Sequence, residues 1–490
     1  MNEMKKISPL AKEIGAMTAA EIAGKVRAKA LSAAEVAEAA LERMDAFEPH
    51  VHAFSTPGHE VARAAAEAVD AKIAAGEDPG PLAGVPVGIK DLVATRDLVT
   101  AMGSHVYKDF TPEEDDIVVA RLREAGALVI GKTNVPEFGY SGVGHNPVFE
   151  TTRNPWNLDM TPGGSSAGSG ASVACGVSPF AVGSDGGGSI RIPSAHCGLY
   201  GIKASMGRVP LYPGCRDARL PGVSSWETLE HIGPMSRTVE DSALMLSVIS
   251  GPDPRDRHTI PMEFDWLEAL KREFKGKRIA YSEDYGYAAV DPRVREIVRA
   301  AAKVFESDLG CTVEAADPGW EDPFGAFWGL VAADSDLAGM RAWLPEHAHH
   351  MSPHLVDFLQ KPFTAEDLTN ANIARKALVT RMAHFMQDYD LLLTPTLAVP
   401  PFPVGMQGPE KTEGRITHPT AWLSFTLPIN MTGQPAATVP AGWTDDGLPV
   451  GLHIVGRHLD DPTVLAASAA YEAARPWKDK WPSLVSEVMG

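Results

Sequence analysis

The chain has 490 residues, 44% hydrophobic and 22% charged, with 63 acidic against 44 basic side chains and a formal charge of −19. At roughly 100–200 residues per domain, the length suits about two to four domains or one large α/β unit, and the composition excludes a disordered chain. The negative charge repels nucleic-acid backbones and anionic membrane surfaces, so neither is expected as a partner.

The N-terminal stretch MNEMKKISPLAKEIGAM lacks the apolar core of a secretory signal, and no apolar run approaches a membrane span. Cys175, Cys197, Cys215 and Cys311 are too scattered for a disulfide framework or a CxxC metal knuckle. Together these features predict a cytoplasmic protein. Residues 18–75 read as alanine-rich helices, because Thr18-x-x-Glu21 and Ser32-x-x-Glu35 are capping boxes set before apolar residues at helical spacing. Pro79-Gly80-Pro81 breaks that register, after which GVPVGIKDLVA reads as a short buried strand ending near Lys90-Asp91. A helix is expected over 113–125, then the strand Ala127–Ile130 and a turn at Gly131-Lys132-Thr133-Asn134. Helix feeding strand is α/β syntax.

The character changes between 161 and 191, where nine residues are glycine. Helical text resumes around 238–250 and breaks at Gly251-Pro252. A strand Lys277–Tyr281, a helix over 292–309 and mostly helical text over 320–390 follow. A strand from Asp390 enters a proline-rich loop, Gln434–Pro440 and Gly447–Gly456 read as central strands, and 462–475 closes with a helix. With neither repeat nor clean linker, the expected organisation is one α/β domain in four segments. These are an N-terminal helical segment over 1–75, a catalytic core over 76–254, a mostly helical insertion on the substrate side over 255–390, and C-terminal strands and helix over 391–490 completing the core sheet.

Two motifs match by letter and fail by context, and a histidine pair fails on both counts. Gly126 to Thr133 satisfies GxxxxGK[ST], but a phosphate loop needs flexible backbone between strand and helix, and here the intervening residues are themselves the strand. Gly164-Ser165-Ser166-Ala167-Gly168 fits the GxSxG elbow, yet His453, its late histidine, sits in apolar strand text like a core residue. His350 and His354 lie one helical turn apart without HExxH order, and Pro353 interrupts the helix such ligands need. No metal site is expected.

Ser184-Asp-Gly-Gly-Gly-Ser189-Ile-Arg191 sets a serine behind three glycines. Side-chain-free positions let backbone amides converge on a ligand atom, as an oxyanion hole requires, so Ser189 reads as a candidate nucleophile; a tight turn capped by serine is the alternative. Its base is open: no Ser-x-x-Lys occurs, and Lys90 is the lysine most deeply set in apolar text. Desolvation there favours the neutral, proton-accepting amine, while a strand-end lysine reaching for water is the other reading.

Six separated blocks resemble the amidase signature enzymes, which are serine amidohydrolases: Gly84 to Asp91, Gly131 to Phe138, Pro162 to Gly168, Gly183 to Arg191, Gly233 to Arg237 and Leu391 to Thr396. The resemblance spans roughly 20–475 and implies the amidase signature fold, a single large α/β domain with a central mixed sheet flanked by helices. It implies a triad of Ser189, Ser165 and Lys90, with a cis peptide bond before Ser165, and assigns the relay to Ser165 rather than Ser166. Backbone amides of Gly186, Gly187, Gly188 and Ser189 form the implied oxyanion hole. Ser166, Asp185 and Arg191 are supporting residues, and Gly139 and Tyr140 lie near the substrate wall, the missing side chain at Gly139 leaving room for a bulky acyl group. Neither metal nor organic cofactor is implied.

Gly186 departs from the pattern, since many relatives carry isoleucine or threonine there; the glycine reduces bulk around the leaving group and loosens the loop. The implied activity is hydrolysis of a small-molecule carboxylic amide by water through an acyl-enzyme, with aryl amides, carbamates, esters and cyclic or oligomeric amides within reach. The alternative is the glutamine-hydrolysing subunit of a tRNA-dependent amidotransferase. A homodimer is the family-based expectation.

Overall fold

The computed structural model describes residues 6–213 and 226–489, so Cys215 lies outside the described residues. Both capping boxes form: Thr18 and Ser32 accept from the backbone N–H of Glu21 and Glu35, whose carboxylates return to the N–H of each cap. The helices they start, Ala19–Arg27 and Ala33–Val51, bury Ile22 and Val26, then Val36, Ala40, Met44 and Phe47. These are the faces that helical spacing selects.

The strands are β1 (Phe54–Pro57), β2 (Pro86–Lys90), β3 (Leu128–Thr133), β4 (Phe180–Ser184), β5 (Tyr200–Lys203), β6 (Ile232–Ser236), β7 (Arg278–Tyr281), β8 (Thr312–Ala315), β9 (Leu391–Pro395), β10 (Lys411–Thr412), β11 (Arg415–Ile416), β12 (Ala436–Trp443) and β13 (Pro449–Gly456). All but the β10–β11 hairpin join one mixed sheet in the order β1-β3-β2-β4-β6-β5-β12-β13-β9-β7-β8. Parallel pairs lie on either side, β3-β2-β4 and β9-β7-β8, and an antiparallel middle joins them. Strands β2, β3, β4, β5, β6, β9 and β13 are buried along their whole length, because helices cover both faces.

Three expectations change. Gly131, Lys132 and Thr133 are strand rather than turn: β3 continues through them because β1 and β2 both offer a ladder there. The supposed helical N-terminal segment contains β1, too short and too proline-marked to stand out from the helices around it. Residues 255–390 are largely helical, as the long helix Ala365–Asp388 illustrates, and besides the expected strand at β7 they supply β8, so that both extend the sheet from β9. Pairing of β5 with β12 then fuses the core and C-terminal segments into one sheet.

The parallel neighbours β2 and β4 end side by side, and open α/β sheets gather their chemistry at such carboxyl ends. The helix Ala167–Ala174 packs across them with every residue buried. Gly168 also lets the helix come close to the backbone beside β1 and β3, because a Cβ there would run into the Ala53 carbonyl oxygen and the Asn134 amide nitrogen, both backbone atoms that cannot step aside. Gly168→Ala is therefore expected to cost about 1–3 kcal/mol of stability in urea unfolding; an unchanged unfolding midpoint would refute this close approach.

Candidate active site

Lys90 is the last residue of β2 and Ser184 the last of β4. Lys90 is buried, and its Nζ donates to Ser165 Oγ at 2.8 Å, Ser184 Oγ at 2.8 Å and the Ser184 carbonyl at 3.0 Å. Three oxygens at these distances suit the three donors of an ammonium, and an amine bonded to a hydroxyl can pass a proton along that bond. Asp91, next in the chain, faces Lys132 at 3.8 Å. Lys132 also donates to the Val93 carbonyl at 2.5 Å and Thr100 Oγ1 at 2.7 Å, securing the loop that leaves Lys90.

The Gly164–Ser165 peptide bond is cis. Ser166 ties this segment to both neighbours: its Oγ donates to the Ser184 carbonyl at 3.2 Å and accepts from Ser184 N–H at 3.2 Å, while its N–H donates to the Ser189 carbonyl at 3.4 Å. The expected members Lys90, Ser165, Ser166 and Ser189 therefore belong to one contiguous set of contacts. Ser184, which joins them, takes no part in the triad that the sequence implies; its sequence signal is its place as the polar residue ending an apolar strand.

Asp185 organises the glycine loop. Its carboxylate accepts from Gly188 N–H at 2.7 Å, Ile190 N–H at 3.2 Å, Arg191 Nε and Nη2 at 2.9 Å each, and Asn430 Nδ2 at 2.8 Å. Complete burial works against its charge, but the Arg191 guanidinium prevails and holds the carboxyl far below the usual carboxylate range. Arg191 donates further to Asn430 Oδ1 at 2.6 Å and faces His453 Nε2 at 3.0 Å. His453 is thus a buried partner of that arginine. Thr426 Oγ1 closes the loop from outside by donating to the Gly187 carbonyl at 2.8 Å. Asn430 and Thr426 carried no local sequence signal, since each acts across more than two hundred residues.

This network corrects one assignment. The Gly188 N–H is already engaged by Asp185, so it is no free donor for an oxyanion; the amides of Gly186, Gly187 and Ser189 have no such partner among the described residues.

Ser189, Gly187, Gly139 and Tyr140 line a cavity of 410 Å³ whose far walls are Phe327, Trp328 and Phe358. Tyr140 is fixed by bonds from its hydroxyl to Ser335 Oγ at 2.6 Å and from Trp226 Nε1 at 3.2 Å. The clearance at Gly139 serves a neighbour more than a ligand: a Cβ there would come 2.8 Å from Leu92 Cδ1 and 3.4 Å from Ser165 Oγ. At Gly186 the vacant side-chain space is filled rather than open, by the Trp226 ring and the Glu230 carboxylate.

A sequence model of the amidase family matches residues 35–465. An acylamidase of Rhodococcus erythropolis is 40% identical over 95% of this chain and 97% of its own length. The A subunit of the glutamyl-tRNA(Gln) amidotransferase of Carboxydothermus hydrogenoformans is 36% identical over 94% and 97%. Among solved structures, a bacterial aryl acylamidase superimposes with a TM-score of 0.89 at 32% identity, covering 98% of this chain and 99% of that one.

Arg191→Met should strand the buried Asp185 charge and cost about 3–5 kcal/mol in urea unfolding, with turnover lost in parallel. Parental stability in that variant would contradict the role assigned to the pair.

Proposed function

The chain belongs to the amidase signature family and is an amide C–N hydrolase, and we propose that it hydrolyses small carboxylic amides bearing an aryl or other bulky apolar group, through an acyl-enzyme on Ser189. One observation carries this reading: the cavity that reaches Ser189 is walled by Tyr140, Trp226, Phe327, Trp328 and Phe358. Aromatic walls favour flat apolar groups by area and by edge-to-face contact. The likeness to proteins described as an acylamidase and an aryl acylamidase supports it.

In the proposed cycle, neutral Lys90 accepts a proton from Ser165, which takes one from Ser189 as the Ser189 oxygen attacks the amide carbonyl. The amides of Gly186, Gly187 and Ser189 donate to the tetrahedral oxyanion. The proton returns from Lys90 through Ser165 to the leaving amine, and the C–N bond breaks. Water, deprotonated along the same route, then attacks the acyl-enzyme, and as the acid leaves the proton returns from Lys90 through Ser165 to the Ser189 oxygen. The 2.8 Å bond from Lys90 to Ser165 supports the first transfer.

Glutamine hydrolysis for a tRNA-linked partner is the second reading, favoured by the likeness to amidotransferase A subunits. A glutamine backbone brings an ammonium and a carboxylate that need paired charges; Asp357 and Lys361 do lie on the cavity lining, and it is the aromatic cluster of Tyr140, Trp226, Phe327, Trp328 and Phe358 beside them that favours the aryl reading. The charge of −19 supports a protein that acts without nucleic acid, and no described helix is long and apolar enough to cross a membrane. The three described cysteines are unpaired and buried, which suits the proposed cytoplasmic location; a homodimer rests on the family expectation alone.

Purified protein offered anilides, aliphatic amides, carbamates, cyclic amides and glutamine, with products weighed by mass spectrometry, should cleave anilides fastest; turnover of glutamine alone would overturn the proposal. Ser189→Ala should abolish turnover with the thermal midpoint retained, and Lys90→Ala should lower it by about 10²–10⁴-fold. Parental rates in either variant would remove that residue from the cycle.

A further inference from the structure

The site holds a second polar arm on Lys90, opposite Ser165. Ser184 Oγ accepts from Lys90 Nζ at 2.8 Å, and the Glu230 carboxylate lies beside Lys90 and the same hydroxyl. Glu230 reaches this point from a tight turn in which its N–H donates to the Trp226 carbonyl at 2.8 Å. Its entry depends on a residue that is not there. An ideal Cβ on Gly186 would stand 2.5 Å from Glu230 Oε2 and would also strike the Trp226 ring, so any side chain at 186 must push both groups away. Gly186 thereby makes room for a carboxylate.

We propose that Glu230 is a positioning residue for the amide hydrolysis, a carboxylate set beside Lys90 and Ser184 that acts on the Lys90 charge and that Gly186 admits by lacking a side chain. The inference rests on the reading of Lys90 as the base. A negative charge nearby stabilises the ammonium over the amine, so Glu230 sets how high the pH must rise before Lys90 can accept a proton. Ser184 in turn holds the amine beside Ser165 through the bonds to its hydroxyl and its carbonyl.

Among the described residues, the other charged groups nearby are already engaged. Burial pushes its carboxyl up to about 7 while Lys90 pulls the other way. Asp185, also nearby, is neutralised by Arg191, with Lys203 behind it. His231, which follows Glu230 in the chain, is held neutral by burial, with Lys203 adding to the effect, and its Nδ1 meets the Leu229 carbonyl at 2.8 Å. Asp91, next to Lys90, is engaged with Lys132. These groups are common to parent and variant, so a difference between the two reports Glu230.

The test is the pH profile of kcat/KM on the best anilide for the parent, Glu230→Gln, Gly186→Ala and the double variant. Glu230→Gln keeps size and hydrogen bonding but removes the charge. Its acid limb is expected to move to lower pH by about 1 unit, making it up to about tenfold faster than the parent, relative to each plateau, at pH values below the parent's limb. Gly186→Ala is expected to lower the plateau, since it alters the oxyanion loop, and to show the same displaced limb. The double variant should show one displacement, not two. An unmoved limb in folded Glu230→Gln overturns the inference, as does a limb moved to higher pH; additive displacements overturn the part given to Gly186. A Lys90→Ala control separates the two levels. Parental turnover there refutes Lys90 as base, whereas an inactive Lys90→Ala beside an unmoved Glu230→Gln limb refutes only the role of Glu230.

Discussion

Everything in the site hangs on the buried carboxylate of Asp185. A charge with no access to water is tolerated only when its acceptor positions are filled, and here Arg191, Asn430 and the amides of Gly188 and Ile190 fill them. The glycine loop is otherwise free to take many shapes, since three successive residues lack side chains. Asp185 selects one of them by engaging the Gly188 amide and leaving the amides of Gly186, Gly187 and Ser189 without a partner among the described residues. The ion pair thus converts a flexible stretch into a set of aimed donors. It does so from the end of a strand, so the sheet's rigidity passes directly to the loop.

A division of labour follows from the sheet order. Strands β2 and β4, parallel and adjacent, present Lys90 and Ser184 at their carboxyl ends, and the buried helix Ala167–Ala174 brings Ser165 and Ser166 against them. The C-terminal half supplies what restrains the loop, through Asn430 and Thr426, and the helical stretch between supplies Phe327, Trp328 and Phe358 to the aromatic wall. Chemistry therefore sits on the rigid parallel strands, while that part of the apolar wall comes from helices that can vary without disturbing it.

Much of this was legible in the chain itself. The capping boxes at Thr18 and Ser32 are local, and they form. The glycine cluster before Ser189 announced a loop built from backbone, and the apolar setting of Lys90 announced a buried amine. Less legible were features decided by distant partners. β1 is a strand only because β3 lies beside it, and Gly131 to Thr133 stay in the ladder because two neighbours hold them there. The occupation of the Gly188 amide depends on where Asp185 turns its carboxylate. The space at Gly186 looked like slack in the loop, yet Trp226 and Glu230 fill it from some forty residues away.

The central claim is that Ser189, not its serine neighbours at 165, 166 or 184, carries the acyl group. Rapid mixing of excess enzyme with an aryl ester or anilide, acid quenching within the first turnover, and peptide mapping by mass spectrometry would locate the adduct. The account predicts a mass increase equal to the acyl group on the peptide containing Ser189, at that residue and decaying as acid is released. An adduct on Ser165, or hydrolysis through the first turnover with no adduct at any serine, would contradict it.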